Sequence, residues 1–274
     1  MLDLHCHMLP AIDDGAQDLD TALEMARTAV ADGINLVACT PHIYPGLYEN
    51  RAGDILAAVD TFRERLQEAG ISLEITFGAD IQLIPELLYN LDGRSFPTLH
   101  GSRYFLFEPP HHVAPLHFSE LLFDVLSGGY VPIITHPERL TWLDDDHYHW
   151  FVDAVRCGAW LQLTSGSVVG RFGRGPRYWA ERMLDDGIVH ILATDAHDTE
   201  HRPPFLAEGR DAAAAWVGSE EAQRLVVGRP QLVVDDQSTD TLPLPPGLTG
   251  QASCSAMGLQ THKGWLRRLL GRGG

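Results

Sequence analysis

The stretch Val131-Pro132-Ile133-Ile134-Thr135-His136-Pro137-Glu138-Arg139 is a short apolar run that ends in a histidine, a carboxylate and an arginine. Similar polar groups follow the other short apolar runs of the first 200 residues. They are His5-Cys6-His7, Thr40-Pro41-His42, Gly78-Ala79-Asp80, Phe107-Glu108 and Thr194-Asp195-Ala196-His197. A β/α barrel brings the carboxyl ends of its strands to one rim, so we expect these side chains to meet there.

Strand and helix patterns alternate from the N-terminus onward. The predicted strands are Leu2–Leu4, Asn35–Thr40, Leu73–Phe77, Tyr104–Phe107, Val131–Ile134, Ala159–Leu163 and Val189–Ala193. The predicted helices are about Thr21–Asp32, Asp54–Ala69, Pro85–Leu91, His117–Ser127, Tyr148–Arg156, Arg177–Asp186 and Ala212–Val227. Alternation with short connections indicates parallel strands and right-handed crossovers. We therefore predict an α/β fold, a distorted (β/α)7 TIM-like barrel, over residues 1–234.

The composition changes after Val234. Residues 235–258 are rich in Ser, Thr, Pro, Gly and Asp, so we predict that the tail, residues 235–274, begins with a disordered linker. The tail ends in a short basic amphipathic segment, Gly264–Arg272, which we interpret as a frayed terminus. Contact of this segment with a membrane surface is the alternative.

Charge and cysteine content exclude several functions. The net charge of −17 argues against nucleic acid as a partner, because a phosphate backbone needs a basic surface. Four cysteines without paired spacing and the absence of a signal peptide favour a cytoplasmic protein. Lys263 is the only lysine, so no barrel lysine is available for a Schiff base or a carbamylated metal bridge. No cysteine is followed six residues later by arginine, and no phosphate-binding Gly-Lys loop is present.

Histidine and carboxylate without thiolate partners suit Mn²⁺, Fe or Zn²⁺ used for hydrolysis better than a structural zinc. Alternation places His5 and His7 on one face of a strand and leaves Cys6 on the other, as a packed small side chain. Asp13-Asp14-Gly15 is either a plain turn or a source of one further ligand. We interpret His111-His112 and His147-Tyr148-His149 as loop or surface residues rather than ligands.

Two arginines follow the candidate ligands closely. Arg139 lies three residues after His136, and Arg202 lies five after His197, so both are predicted to emerge near the same rim. A guanidinium binds phosphate oxygens as a fork. Surface salt bridges are the other common role of arginine.

These residues resemble the PHP (polymerase and histidinol phosphatase) superfamily, and within it the bacterial metal-dependent protein-tyrosine phosphatases of capsule and exopolysaccharide synthesis. The resemblance runs from Met1 to about Val234. The motifs that carry it are Asp3-Leu4-His5-Cys6-His7, Asp13-Asp14-Gly15, Thr40-Pro41-His42, Gly78-Ala79-Asp80, Ser102-Arg103-Tyr104 leading to Glu108, His136-Pro137-Glu138-Arg139, Thr194-Asp195-Ala196-His197 and Arg202-Pro203-Pro204.

The resemblance implies a PHP-type barrel that binds up to three Mn²⁺-type ions and hydrolyses phosphotyrosine on the tyrosine-rich tail of a bacterial tyrosine kinase. The ligands that it implies are His5, His7, Asp14, His42, Asp80, Glu108, His136, Asp195 and His197. Arg139 and Arg202 match phosphate-binding positions. The chain departs from the family at Asp80, where glutamate is usual as a bridge between two metals; the shorter side chain either still bridges or weakens one site.

Three other readings remain open. A small-molecule phosphatase, such as one for histidinol phosphate, would share the fold and the metals and differ in the substrate rim. A non-catalytic kinase-docking module would be favoured by loss of ligands, and here the ligand set is present. An amidohydrolase also uses an N-terminal His-x-His, but commonly needs a barrel lysine.

Overall fold

The computed structural model describes residues 1–249, and the strands in it are all parallel. The strands are β1 (Leu2–Cys6), β2 (Leu36–Cys39), β3 (His42–Ile43), β4 (Glu74–Phe77), β5 (Asp80–Gln82), β6 (Tyr104–Glu108), β7 (Val131–Thr135), β8 (Trp160–Thr164) and β9 (Ile191–Ala193). They form a three-stranded sheet in the order β1-β2-β4 and a six-stranded sheet in the order β3-β5-β6-β7-β8-β9.

Ten α-helices lie within residues 1–249. They are α1 (Leu19–Ala31), α2 (Ala52–Glu68), α3 (Leu87–Asp92), α4 (Phe118–Ser127), α5 (Asp145–Arg156), α6 (Ser165–Val168), α7 (Arg174–Asp185), α8 (Ala207–Val217), α9 (Ser219–Gln223) and α10 (Arg229–Val234). Short 3₁₀ turns occur at Leu99–Gly101, Pro137–Arg139 and Pro246–Leu248, and a π turn occurs at Arg224–Gly228. No helix in this part of the chain has both the length and the apolar character needed to cross a membrane.

The two sheets belong to one arrangement of seven strands. Strand β3 continues β2 after Thr40-Pro41, and β5 continues β4 after Gly78-Ala79, so each pair is one interrupted strand. At the other end, the Asp195 N–H donates to the His5 carbonyl at 2.8 Å, and the His7 N–H donates to the Ala196 carbonyl at 2.9 Å. The first and last strands thus meet, which is consistent with the predicted distorted (β/α)7 barrel.

Alternation along the strands builds an apolar floor below a polar rim. Leu106, Trp160 and Ile191 belong to one buried cluster, which also contains side chains of α10. Two residues after Leu106 comes Glu108, and two residues after Trp160 comes Gln162. Side chains two residues apart on a strand point to the same face, so this face changes from apolar to polar toward the carboxyl end of each strand. The polar groups at that end therefore lie on a dry, packed base rather than in a water-filled pore.

Five helices, α1, α2, α5, α7 and α8, begin two to five residues before their predicted starts, and for two of them a capping side chain explains the difference. Helix α1 begins at Leu19 because the Asp18 carboxylate accepts the Thr21 N–H at 2.8 Å. Helix α5 begins at Asp145 because the Asp144 carboxylate accepts the His147 N–H at 2.8 Å. Both caps satisfy donors that a helix start leaves unpaired.

The region predicted to be helical over Ala212–Val227 is helical in the structure but divided. It consists of the second half of α8, then α9 and the π turn. Gly218 separates α8 from α9 with a φ of +82°, a conformation that glycine adopts without steric cost and that an α-helix cannot contain. The short helix α6, directly after β8, was not predicted.

The sequence predicts disorder from Asp235, but residues 235–249 pack against the barrel. The Arg103 guanidinium binds the Asp236 carboxylate with an Nε–Oδ1 distance of 2.9 Å. The Tyr104 hydroxyl donates to the Gln237 carbonyl at 2.8 Å, and Leu248 is buried. Polar composition was misleading here because backbone groups and an ion pair make much of the contact, with only a few apolar side chains such as Leu248 added. The basic amphipathic segment at 264–272 lies outside the described residues.

Helix α8 packs on α6 through Gly209, and we expect Gly209→Ala to destabilise the fold. A Cβ at this position would lie 2.2 Å from Ser165 Oγ and 2.9 Å from Ser165 Cα, so backbone has to move. Overpacking of this kind costs about 1–3 kcal/mol of unfolding free energy. Urea denaturation measures the loss. Gly175→Ala in α7, where nothing lies within 4 Å of the new methyl, is the matched control and should cost nothing; equal stability of the two variants would contradict the packing argument.

Candidate metal centre

The carboxyl ends of the strands bring all nine predicted ligand residues together. Each belongs to at least one group of three or four residues whose possible ligand atoms lie within 4.8 Å of one another. The groups are His7, Asp14, His42 and His197; His5, His7 and Asp80; His5, His136 and Asp195; and His42, Asp80 and Glu108. The predicted convergence of these side chains on one rim is therefore what the structure has.

The innermost contacts join the two N-terminal histidines to two carboxylates. His5 Nε2 lies 3.1 Å from His7 Nε2, 3.4 Å from Asp80 Oδ2 and 3.3 Å from Asp195 Oδ1. His7 Nε2 lies 3.4 Å from the same Asp195 oxygen. Donor atoms that share one cation at bond lengths of about 2 Å have separations of this size.

Asp80 connects this inner group to the rest of the cluster. Its Oδ2 atom lies 3.6 Å from His42 Nδ1 and 3.7 Å from His136 Nε2. Glu108 is on the same side, with Oε2 3.5 Å from His42 Nδ1 and Oε1 3.8 Å from His136 Nε2. The side chain of Asp80 is fully buried at the centre of three histidines, so aspartate is long enough to reach the middle of the cluster.

Asp14 forms the outer edge of the cluster. Its Oδ1 atom lies 3.5 Å from His42 Nε2 and 3.5 Å from His197 Nε2, and its carboxylate is about half exposed. The histidine rings pack closely, with 3.9 Å between the centroids of His7 and His197. A cation bound here would be reachable from solvent.

Asp13 and Gln162 orient the N-terminal histidines, and neither was assigned this role from the sequence. Asp13 Oδ2 accepts from His7 Nδ1 at 2.7 Å and from the His42 N–H at 2.9 Å. Gln162 Oε1 lies 2.9 Å from His5 Nδ1. A proton held on Nδ1 leaves Nε2 free as a ligand, which is the usual arrangement of a metal-binding histidine. The available signal for Gln162 was a polar residue in the middle of the apolar strand β8.

Several buried polar atoms in the cluster have no hydrogen-bond partner. They are His42 Nδ1, Asp80 Oδ2, His136 Nδ1 and His197 Nε2. Buried polar atoms are nearly always paired, since leaving them unpaired is costly. Of these, His42 Nδ1, Asp80 Oδ2 and His197 Nε2 lie at the distances given above from other possible ligand atoms and fit divalent cations as the missing partners.

The pKa values indicate how strongly the cluster attracts positive charge. Burial lowers the pKa of His5, but the Asp80 and Asp195 carboxylates outweigh it and raise that pKa to about 9. Burial also opposes protonation of His42, whose pKa is nevertheless raised to about 10 by the Glu108 and Asp80 carboxylates. A positive charge is thus favoured at these atoms, and metal binding displaces the protons.

The pKa values of three other residues in the cluster are lowered instead of raised. Burial lowers the pKa of His136 to about 4 and, with the help of the neighbouring His7, lowers that of His197 to about 4. Burial opposes ionisation of Asp195, yet Arg202, His5 and Arg139 hold its pKa well below the usual range. Neutral imidazole and ionised carboxylate are the forms that bind metals.

Both predicted phosphate-binding arginines lie at the edge of the cluster. Arg139 Nη1 donates to Asp195 Oδ2, and Arg202 Nη2 donates to the same oxygen at 2.5 Å. The Arg139 guanidinium also lies 4.5 Å above the centre of the Phe172 ring. Each arginine keeps further N–H groups beyond those used by Asp195, so each can bind an anion beside the cluster.

The histidines that we interpreted as non-ligands belong to none of these groups, although His111 lies near the rim, where burial and then the charge of Arg139 lower its pKa. His147 is on α5, with Nδ1 2.7 Å from the Asp144 carboxylate. His111 and His112 follow β6, and within residues 1–249 neither joins a possible metal-binding group. Cys6 is buried and free, as predicted for a packed small side chain.

Comparison with known proteins gives a consistent match over nearly the whole described chain. The sequence model of the family described as "Capsular polysaccharide synthesis, CpsB/CapC" matches residues 1–235. The tyrosine-protein phosphatase YwqE of Bacillus subtilis (strain 168) is 36% identical over 223 residues, which cover 80% of this chain and 86% of YwqE. The tyrosine-protein phosphatase CpsB of Streptococcus pneumoniae is 27% identical over 242 residues, covering 86% and 99%.

A solved structure supports the same relationship. It comes from the crystal structures of YwqE from Bacillus subtilis and CpsB from Streptococcus pneumoniae, described as unique metal-dependent tyrosine phosphatases. The superposition has a TM-score of 0.81 at 32% identity and covers 87% of this chain and 96% of that one. The α/β fold and the resemblance predicted from the sequence are confirmed by these matches.

Proposed function

This chain belongs to the CpsB/CapC family of capsular polysaccharide synthesis, and from that membership we propose that it is a metal-dependent protein-tyrosine phosphatase. The observation that carries the proposal is the convergence of nine metal-ligand side chains beside two arginines at one rim. Its relatives YwqE and CpsB are tyrosine-protein phosphatases by name. Residues 1–234 form the catalytic domain in this proposal.

The proposed cofactor is Mn²⁺, with up to three ions, and Fe or Zn²⁺ as alternatives. The proposed ligands are His5, His7, Asp14, His42, Asp80, Glu108, His136, Asp195 and His197. Imidazole and carboxylate without thiolate are the donors that suit these ions. The proposed bridging residue is Asp80, because its Oδ2 atom faces three histidines.

The proposed reaction is hydrolysis of a phosphotyrosine ester. Bound divalent ions supply Lewis-acid chemistry, which makes hydroxide available near neutral pH and neutralises phosphate charge. Arg139 and Arg202 bind the phosphate oxygens and stabilise the charge that shifts among them as the ester bond breaks. Asp13 and Gln162 hold protons on His7 Nδ1 and His5 Nδ1, which keeps both Nε2 atoms available.

The proposed substrate is phosphotyrosine in a protein, on the tyrosine-rich tail of the kinase that controls polysaccharide assembly. The family's place in capsular polysaccharide synthesis supports this assignment. The test compares phosphate release from a phosphotyrosyl peptide, a phosphoseryl peptide and histidinol phosphate, with Mn²⁺ and after chelation. Metal-dependent release from the phosphotyrosyl peptide is the expected result. Preference for histidinol phosphate would move the function to small-molecule metabolism, and no release from any substrate would refute the proposal.

We expect Arg139→Gln to lower kcat/KM for phosphotyrosyl peptide by about a hundredfold, because one charged donor to the phosphoryl oxygens is lost. Metal content should stay unchanged, since Arg202 still pairs with Asp195. Steady-state kinetics and metal analysis measure the two quantities. Arg27→Gln, which removes an exposed arginine on α1, is the control. Loss of metal together with activity would show that Arg139 acts only by holding Asp195.

A further inference from the structure

One side of the rim carries a concentration of exposed apolar side chains. Strands β3, β5 and β6 are neighbours in the sheet, so the connections that follow them leave the rim at adjacent positions. These connections, residues 44–51, 83–98 and 109–117, contain five exposed large side chains. They are Tyr44, Leu47, Tyr89, Val113 and Leu116, which we call the apolar sector.

The exposure of the apolar sector is larger than packing of the chain itself explains. Leu116 is 94% exposed and Leu47 is 63% exposed, so neither contributes to the core. The other exposed large apolar side chains of the described chain are spread over four helices and the segment after α10: Leu56, Phe123, Tyr178, Trp216 and Leu244. Isolated exposed leucines are ordinary, whereas a group of them beside a site marks a binding surface.

Hydrogen bonds fix the backbone that presents these side chains. Leu47 lies in a tight turn in which the Tyr44 N–H donates to the Tyr48 carbonyl at 2.9 Å and the Tyr48 N–H donates back at 2.8 Å. Asn50 Nδ2 ties the end of this turn to the His42 carbonyl at 2.9 Å. In the third connection, Trp142 Nε1 donates to the Pro110 carbonyl at 2.7 Å. A surface that is already ordered pays little conformational entropy on binding.

A groove lies between the first two of these connections, and its Tyr48 wall adjoins the metal centre. It has a volume of about 230 Å³. Its lining is part apolar, from Ile43, Pro45, Tyr48, Ile84 and Phe96, and part polar, from Glu49, Asn50, Arg51, Glu86, Asn90 and Ser95. The Tyr48 ring stacks on the ring of His42, with 5.7 Å between centroids and 14° between planes. A ligand that passes over the cluster can therefore place a side chain in the groove without leaving the protein surface.

The two arginines come from different connections than the apolar sector. Arg139 follows β7, directly beside the β6 connection, and Arg202 follows β9, whereas the apolar sector follows β3, β5 and β6. A small phosphate ester held by the arginines would leave the apolar sector uncovered. An extended polypeptide advances about 3.3 Å per residue, so residues near the phosphotyrosine would reach it.

We propose that the apolar sector binds the polypeptide chain flanking the phosphotyrosine, through apolar side chains within a few residues of it. This inference rests on the proposed phosphatase function and specifies its substrate class. Specificity for a protein is then set by β3, β5 and β6 connections, separately from the metals and the arginines. The preferred substrate is a phosphotyrosyl segment with apolar neighbours.

The test uses the double variant Leu47→Ser/Leu116→Ser and the matched control Leu244→Ser, which changes an exposed leucine after α10. The substrates are a phosphotyrosyl peptide with leucine and valine neighbours, the same peptide with serine neighbours, and 4-nitrophenyl phosphate. We expect the double variant to lose about tenfold in kcat/KM for the apolar peptide, mainly through KM. Hydrolysis of 4-nitrophenyl phosphate should change by less than about twofold, as for ordinary surface substitutions.

Binding of the labelled apolar peptide, followed by fluorescence anisotropy, gives the same comparison without turnover. Unchanged peptide affinity in the double variant would overturn the inference, and so would an equal loss in Leu244→Ser or an equal loss for 4-nitrophenyl phosphate. Sedimentation analysis tests whether a second copy of the chain occupies this surface instead. If wild type is a dimer and the double variant is a monomer, the apolar sector is a dimer interface and the inference is overturned. If wild type hydrolyses no substrate, the phosphatase proposal fails, and the anisotropy still decides whether this surface binds peptide.

Discussion

Asp80→Asn is expected to reduce turnover of a phosphotyrosyl peptide by on the order of a thousandfold. The Oδ2 atom of Asp80 lies 3.4 Å from His5 Nε2, 3.6 Å from His42 Nδ1 and 3.7 Å from His136 Nε2, so it lies beside three of the five histidines in the cluster. Asparagine keeps the shape but removes the negative charge that offsets closely spaced cations. Kinetics and metal content, measured on the same preparation, should fall together.

The variant Asp80→Glu tests whether the negative charge or the length of this side chain is what the site requires. Glutamate keeps the carboxylate and adds one methylene, so this variant should retain metal and turnover far above the asparagine variant. If the glutamate variant is as inactive as the asparagine variant, the reach of the side chain rather than its charge is decisive. Full activity of Asp80→Asn would contradict a bridging role.

Removing divalent ions is expected to lower the melting temperature by about 5–10 °C. The cluster gathers the carboxylates of Asp14, Asp80, Glu108 and Asp195 within a few ångströms, and cations bound to the folded state offset their repulsion. One ion present at 100 times its Kd stabilises by about 2.7 kcal/mol, and each kcal/mol shifts the melting temperature of a chain this size by about 2–4 °C.

Calorimetry with Mn²⁺, after chelation, and after Mn²⁺ is added back measures this effect. The shift should return on re-addition and be much smaller in Asp80→Asn, which lacks the central carboxylate. A melting temperature that does not respond to chelation would mean that the cluster binds no ion tightly.

The sequence was sufficient to predict that these side chains converge, because most of them follow a short apolar run. His136 after Val131–Thr135 and Asp195 after Ile191–Ala193 could be placed at strand ends without knowing which strands are neighbours. The parallel arrangement then brings all strand ends to one rim, whatever the strand order. Spacing also placed the two arginines near that rim, and the family resemblance added Asp14 as a ligand.

Features that depend on contacts between distant segments were not predictable in this way. The hydrogen bond between His5 and Gln162 depends on how far β1 and β8, which are not adjacent, are shifted along each other. The sequence does not show this shift. The packing of residues 235–249 depends on Arg103 and Tyr104, more than 100 residues away, and nothing in the local polar composition signals it. The division of the helical region at Gly218 was not predicted either, since a glycine within a helical pattern does not by itself show where a helix ends.

The meeting of the first and last strands has a consequence for synthesis of the protein. His5 and Asp195 stand 3.3 Å apart, yet the ribosome makes them 190 residues apart. Until β9 emerges and docks beside β1, the nascent chain has only part of its ligand set and lacks Arg202. Contacts of such large sequence separation form late and slowly. The complete ligand set and both arginines are therefore present together only in chains that have completed the barrel, and we expect unfinished chains to lack phosphatase activity.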